Sequence, residues 1–421
     1  MRRVKLELLL LVRNPTLLIL SALIVLSAIF AVHQGQLRLT NEHSDYSALV
    51  DYAVNDFSHW QSKSTQEDFD FGSMGYYYFE PTQHPAQPLA ALFSGQRVMD
   101  MLSHNIRLLA ITGQIYGQER HNPDLQLHGY LDLGFIFIFI MPLLVGVMTS
   151  RLWSSENESG RLLLLRAVIP SAQSLINFRF LFIYILIALF QLLLLVYGFL
   201  AIGLSINTMF VKIYGALLLY QTVWFILSWC INRFQIQSIK AGLAYISIWI
   251  LLTLVIPGVA INYSQYRYPV TQGIDMMLDQ RQYMHNAWDR NKQSDLEEFY
   301  QLFPQYSHSA PMSDQFHWKW YFAMQFMSDY KVEGVKKAYW QQIHNRIEMN
   351  RKFSYLSPAI ALQNHLTRYA KTDIYSQMAY WRAVEHYHNS LFSYFAQHLF
   401  YDKKPAAGLP DYPRFEYPDS E

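Results

Sequence analysis

The sequence has one cysteine, Cys230, in 421 residues. That excludes a disulfide framework and a cysteine-based metal site within the chain. The net charge of +1 says nothing about nucleic acid, but its distribution shows no basic stripe with interleaved aromatics, so nucleic acid is not an expected partner. It has no G-x-S-x-G, no G-x-x-x-x-G-K-[ST] and no H-E-x-x-H pattern. Ser328 and Lys331 form a lone S-x-x-K without its usual S-D-N and K-T-G companions. The chain therefore reads as a non-enzyme, with no cofactor of its own. Fifteen histidines raise the question of a metal. His386, His388 and His398 share one helical stretch, but their spacing points them apart. Charge is also missing from the longest apolar runs. Asp132 and Lys212 fall near run ends, where interfacial water tolerates them, and this weighs against an ion-coupled transporter.

What is present is long apolar sequence. The windows Val12–Val32, Leu131–Thr149, Phe182–Leu204, Ile213–Ile231 and Ala241–Ile256 are almost wholly apolar. Each is near the ~20 residues that cross a hydrocarbon core. A soluble core helix rarely stays uncharged for so long. The fold class expected is a polytopic all-α membrane protein of five spans with large, mainly helical extracytoplasmic segments. The start of the chain resembles a signal peptide, but its apolar core is long and no small-x-small site follows, so a retained first span is expected.

Short loops orient the spans. Arg2, Arg3, Lys5 and Arg13 precede the first span; Arg151, Arg161, Arg166 and Arg179 follow the second; Arg233 and Lys240 lie between the fourth and fifth. These stretches read as cytoplasmic. The layout expected is 1–33 for an interface helix and the first span, and 34–129 for a first extracytoplasmic domain. Spans two to five then occupy 130–258, with a cytoplasmic element at 151–177, and 259–421 forms a second extracytoplasmic helical domain. The fifth span is expected to exit near Pro257–Gly258.

In the first outer segment, Thr40–Asp56 reads as polar strand or coil. The Gly-, Pro- and aromatic-rich stretch after it suggests turns and short extended pieces, with Tyr76–Tyr78 as a core or interfacial aromatic cluster. From Leu89 the pattern turns helical through Ala110, weakened by Gly95. In the last segment, Phe316–Phe353 is periodic with an interruption near Gly334. Ser357–Pro358 opens a helix to about Ala370, and Thr372 or Asp373 caps another to about Leu399. These helices are expected to pack as an external bundle on the membrane core.

Two cytoplasmic features stand out. MRRVKLELLLLVRNP suits an amphipathic helix lying in the interface. SRLWSSENESGRLLLLRAVIPSAQSL suits a short helix and turn, either an ordinary positive-inside loop or a dock for a soluble partner. At these residues the sequence resembles permease subunits of type-2 ABC transporters, the exporter class. Arg13–Pro15, Ser155–Arg179 and the span layout carry the likeness. The resemblance implies that Glu156, Glu158, Gly160, Arg161 and Pro170 belong to a coupling element touching an ATPase, with Glu7 and Arg13 in the interface helix. PLAALFSGQRV, LSPAIALQNHL, Thr372–Asp373 and LPDYPRF are further similar to a bacterial permease subfamily with large extracytoplasmic insertions, known only as a domain of unknown function.

That resemblance implies an ATP-driven exporter of the bacterial inner membrane. Separate cytoplasmic ATPase subunits would bind ATP and Mg, and a second permease, alike or related, would complete the pore. Membrane lipids and a periplasmic partner are the other expected contacts. The rival expectation is a receptor or assembly factor whose outer domain binds a partner protein. Family members usually carry a sixth span after the last outer segment; these residues contain none, so either an outer C-terminus or a truncated sequence is expected.

Overall fold

The computed structural model describes residues 2–116, 130–162, 172–309, 316–401 and 403–417. Five helices among them are long and apolar enough to cross a membrane: Pro15–Lys63, Leu133–Glu158, Gln173–Ala201, Thr208–Arg233 and Ser238–Arg267. The protein is a polytopic α-helical membrane protein.

A helix over Arg2–Val12 precedes the first span. The chain breaks at Asn14, whose side chain accepts from the Thr16 N–H at 3.1 Å, and Pro15 opens the next helix. Asn at the N-cap and Pro at the first helical position together set this start. The helix then runs 49 residues. At about 1.5 Å per residue it far exceeds a hydrocarbon core of about 30 Å. Thr40–Asp56 is thus helical, against the strand or coil its polarity suggests. No Gly or Pro interrupts 36–63, and an existing helix propagates without a new costly nucleus. Ala53 and Phe57 bury one face of the extension.

The second and fifth spans share a device. Each contains a π-helical turn, Ile136–Ile140 and Leu251–Val255, with a proline two residues later, Pro142 and Pro257. Proline has no N–H, so carbonyls one turn earlier lose their helical donor. Side chains from elsewhere supply it. The Tyr220 hydroxyl donates to Ile138 O at 2.6 Å, and the Ser357 hydroxyl to Leu252 O at 2.6 Å. Because the π turn absorbs Pro257, the helix of the fifth span does not end at Pro257–Gly258 but continues to Arg267.

Residues 89–110 are not the helix their pattern suggests. They form 3-10 turns at Pro88–Ala91 and Gly95–Val98 and a strand, Ser103–Ile106, antiparallel to Glu80–Gln83. Gly95 has φ +53°, outside the helical region. Asp132 pins the turn: one carboxylate oxygen takes the Ser94 N–H at 2.8 Å, the other the Phe135 N–H at 2.7 Å. It is buried, and these two N–H groups satisfy its carboxylate.

The last segment follows its sequence signals more closely. Helices Trp318–Lys331 and Glu333–Phe353 meet beside Gly334. Ser357 caps Pro358–Ala370, and Asp373 caps Ile374–Leu399. Two hydrophobic cores result. One unites the spans with Leu89, Leu92 and Phe93. The other joins Phe57, Phe71, Trp320, Tyr380, Phe395 and their neighbours in the outer domain. Helix Pro358–Ala370 does not stay in the external bundle. Its Ala359, Leu362, Leu366 and Ala370 enter the core of the spans.

Candidate functional site

At the end of the bundle bearing the N-terminus, three elements converge on Arg179. Its Nε donates to Glu7 Oε1 at 2.7 Å, from the first helix. Its Nη1 donates to Glu156 Oε1 at 2.7 Å, from the end of the second span. Glu156 Oε2 accepts from Arg161 Nε at 2.9 Å. The side chains of Glu7, Arg179 and Glu156 are 15%, 15% and 10% exposed, whereas Arg161 is 61% exposed. Charges so shielded attract strongly, and removing one partner strands the others.

The same element is bolted to the turn between the fourth and fifth spans. The Asn232 amide donates to Thr149 O at 2.9 Å, and its oxygen accepts the Trp153 N–H at 2.9 Å. Ser154 Oγ donates to Ile236 O at 2.6 Å. Glu158 Oε1 accepts the Ser238 N–H at 2.7 Å, placing a carboxylate at the start of the fifth span, where the helix dipole favours it. Gly160 turns the chain with φ +72°, a conformation that disfavours a side chain.

Of the residues singled out by sequence, Glu7, Glu156 and Arg161 meet in one network. Glu158 and Gly160 belong to the same element but touch other partners. Arg13 is exposed and makes no ion pair among the described residues. Pro170 lies outside the described residues. Arg179, the hub, is marked in the sequence only by its positive charge after the second span. Its signal was an arginine inside a helix that begins at Ala172. Beside the network opens a cleft of about 770 Å³ between the first helix and the first three spans, lined in part by Leu11, Asn14, Arg151 and Met148. The arrangement holds no nucleophile–base pair. It ties the first helix, the end of the second span, the third span and the start of the fifth span together around one exposed turn.

A family model described as Domain of unknown function (DUF3526) matches residues 274–418. No curated protein and no solved structure matches the chain. The matched stretch includes the helix Pro358–Ala370 that packs into the spans.

Proposed function

We propose that this chain is the permease subunit of an ATP-driven exporter in a bacterial inner membrane, with its N-terminus cytoplasmic. Separate ATPase subunits hold ATP and Mg, and a second permease copy or relative completes the pore. The observation that carries this reading is the Arg179 junction. It links an interface helix, the turn after the second span and the third span, so force applied at the exposed Glu158–Arg161 turn reaches all three. These residues transmit force and do not catalyse.

The test is charge reversal at Glu158, and separately at Glu156, in the full complex. Loss of ATPase co-purification or of transport-coupled turnover, with an unchanged elution profile, is the expected result. Unchanged binding and unchanged coupling in both variants would sink the proposal. The rival reading, a receptor or assembly factor, draws on the outer core carried by the extended first helix. Purification in mild detergent that recovers a periplasmic protein and no ATPase would favour it.

A further inference from the structure

A cavity of about 500 Å³ lies at the opposite end of the bundle, between the second span, the fifth span and helix Pro358–Ala370. Both π turns face it, the first through Ile138 and Phe139, the second through Thr253. Helices depart from α geometry here at some cost, and such turns gather at functional sites. The third wall is held in place, since Ser357, at the head of its helix, is bonded to Leu252 O.

The lining is divided. Phe135, Ile138, Phe139 and Ile360 give it an apolar side. Phe135 is 40% exposed, on the outer surface of the bundle, so this side adjoins the lipid-facing surface. Tyr130, Asn350, Gln363 and Asn364 give it a polar side. The Tyr130 hydroxyl is buried and meets no partner among the described residues. A buried hydroxyl left unpaired costs about 1–3 kcal/mol. No lysine or arginine lines the cavity among the described residues. Its one carboxylate, Asp132, is already engaged by the Ser94 and Phe135 N–H groups. Arg38 stacks over the Tyr130 ring outside the lining and is paired with Glu42, so an anionic head finds no unpaired cation among the described residues, and a cationic head finds no free carboxylate.

We infer that this cavity binds an amphiphile with an uncharged, hydroxyl- or amide-bearing head and an apolar tail. The head lies against Tyr130 and Gln363, and the tail leaves past Phe135 and Ile138. Binding needs nothing from the exporter reading; calling the amphiphile the cargo class rests on that reading.

The test uses the full chain in nanodiscs, without any ATPase. Two photoactivatable probes share one diazirine tail, a monoacylglycerol and a lysophosphatidylglycerol. The monoacylglycerol is expected to label the peptides carrying Phe135–Phe139 and Ile360–Asn364, with competition by unlabelled monoacylglycerol. Ile360→Trp, which fills the cavity, should lower that labelling at least about tenfold. Gln363→Leu, at a half-buried polar position, should lower it for the monoacylglycerol alone. Equal labelling by both probes, or labelling spread evenly over all five spans, means bulk lipid contact only and overturns the inference. Preference for the anionic probe overturns the head class. Failure here would leave ATPase co-purification intact, and failure of the exporter reading would leave this labelling intact.

Discussion

Gly35 and Ser357 show how much single positions carry. Gly35 lies on the first helix one turn beyond the buried Ala31 and Val32. A Cβ there would collide with the Ala91 carbonyl oxygen, so helix and turn approach only because the side chain is absent. Gly35→Ala is expected to cost about 1–3 kcal/mol by overpacking. Gly215→Ala, where a Cβ meets nothing within 4 Å, should stay within about 0.5 kcal/mol. Thermal unfolding in one detergent compares them directly. Ser357→Ala should cost about 1–3 kcal/mol, because Leu252 O is then left in a buried site without a donor. A drop no larger than that of Gly215→Ala would contradict the role assigned to the hydroxyl. Neither long-range contact is legible in the sequence. Gly35 looks like any glycine at the end of an apolar run. Ser357 was read correctly as an N-cap, since its Oγ accepts the Ile360 N–H at 3.3 Å. Its second bond spans 105 residues, and no local pattern encodes that.

At the scale of elements, local signals worked where the element closes on itself. Asn14–Pro15, Ser357–Pro358 and Asp373 start helices because their side chains satisfy donors two or three residues on. Signals failed where a distant partner decides. The stretch from Leu89 to Ala110 has helical spacing, yet strand pairing with Glu80–Gln83 and the Asp132 bond to Ser94 override it. Pro257 reads as an exit, yet a π turn carries the helix through. The Arg179 junction makes a prediction at this scale. Arg179→Gln should unpin Arg2–Val12, raising its amide hydrogen exchange, while the outer helices Trp318–Lys331 and Ile374–Leu399 keep theirs. Faster exchange everywhere would mean global destabilisation and not a local clasp.

The whole molecule is two cores joined by one long helix and by Pro358–Ala370. The outer core buries ionisable groups that give it a pH dependence. Burial, with Lys336 nearby, lowers His388 to about 4 while its Nε2 donates to Leu109 O at 2.7 Å. Burial, with Arg97 nearby, lowers His84 to about 4 while its Nδ1 donates to Gln377 Oε1 at 3.0 Å. Both stay neutral when folded and bind protons near pH 6.5 when unfolded. Their contribution is complete above about pH 6.5 and is lost as pH falls toward 4. Asp329 works the other way. Burial raises it to about 6, although it accepts the Ile111 and Thr112 N–H groups at 2.7 and 2.9 Å. Its ionisation is a cost that disappears as pH drops below about 6. Two strongly lowered histidines outweigh it, so the thermal midpoint should fall between pH 7 and pH 5. His388→Gln, which keeps a donor for Leu109 O, should flatten that fall. An unchanged slope would reject His388 as a source.

The five spans were determined by the sequence alone, because long uncharged apolar runs have few stable places outside a bilayer. So were the caps of the last helices and the presence of Glu7, Glu156 and Arg161 near one end. Which charges meet, and through which hub, depended on the packing of three helices far apart in the chain. The same holds for the packing of Pro358–Ala370 into the core of the spans. Its apolar face was written in its period, but an apolar face specifies only that something must cover it. The spans did so because the two π turns left a carbonyl that Ser357 could reach and a gap that Ala359 and Leu362 could fill.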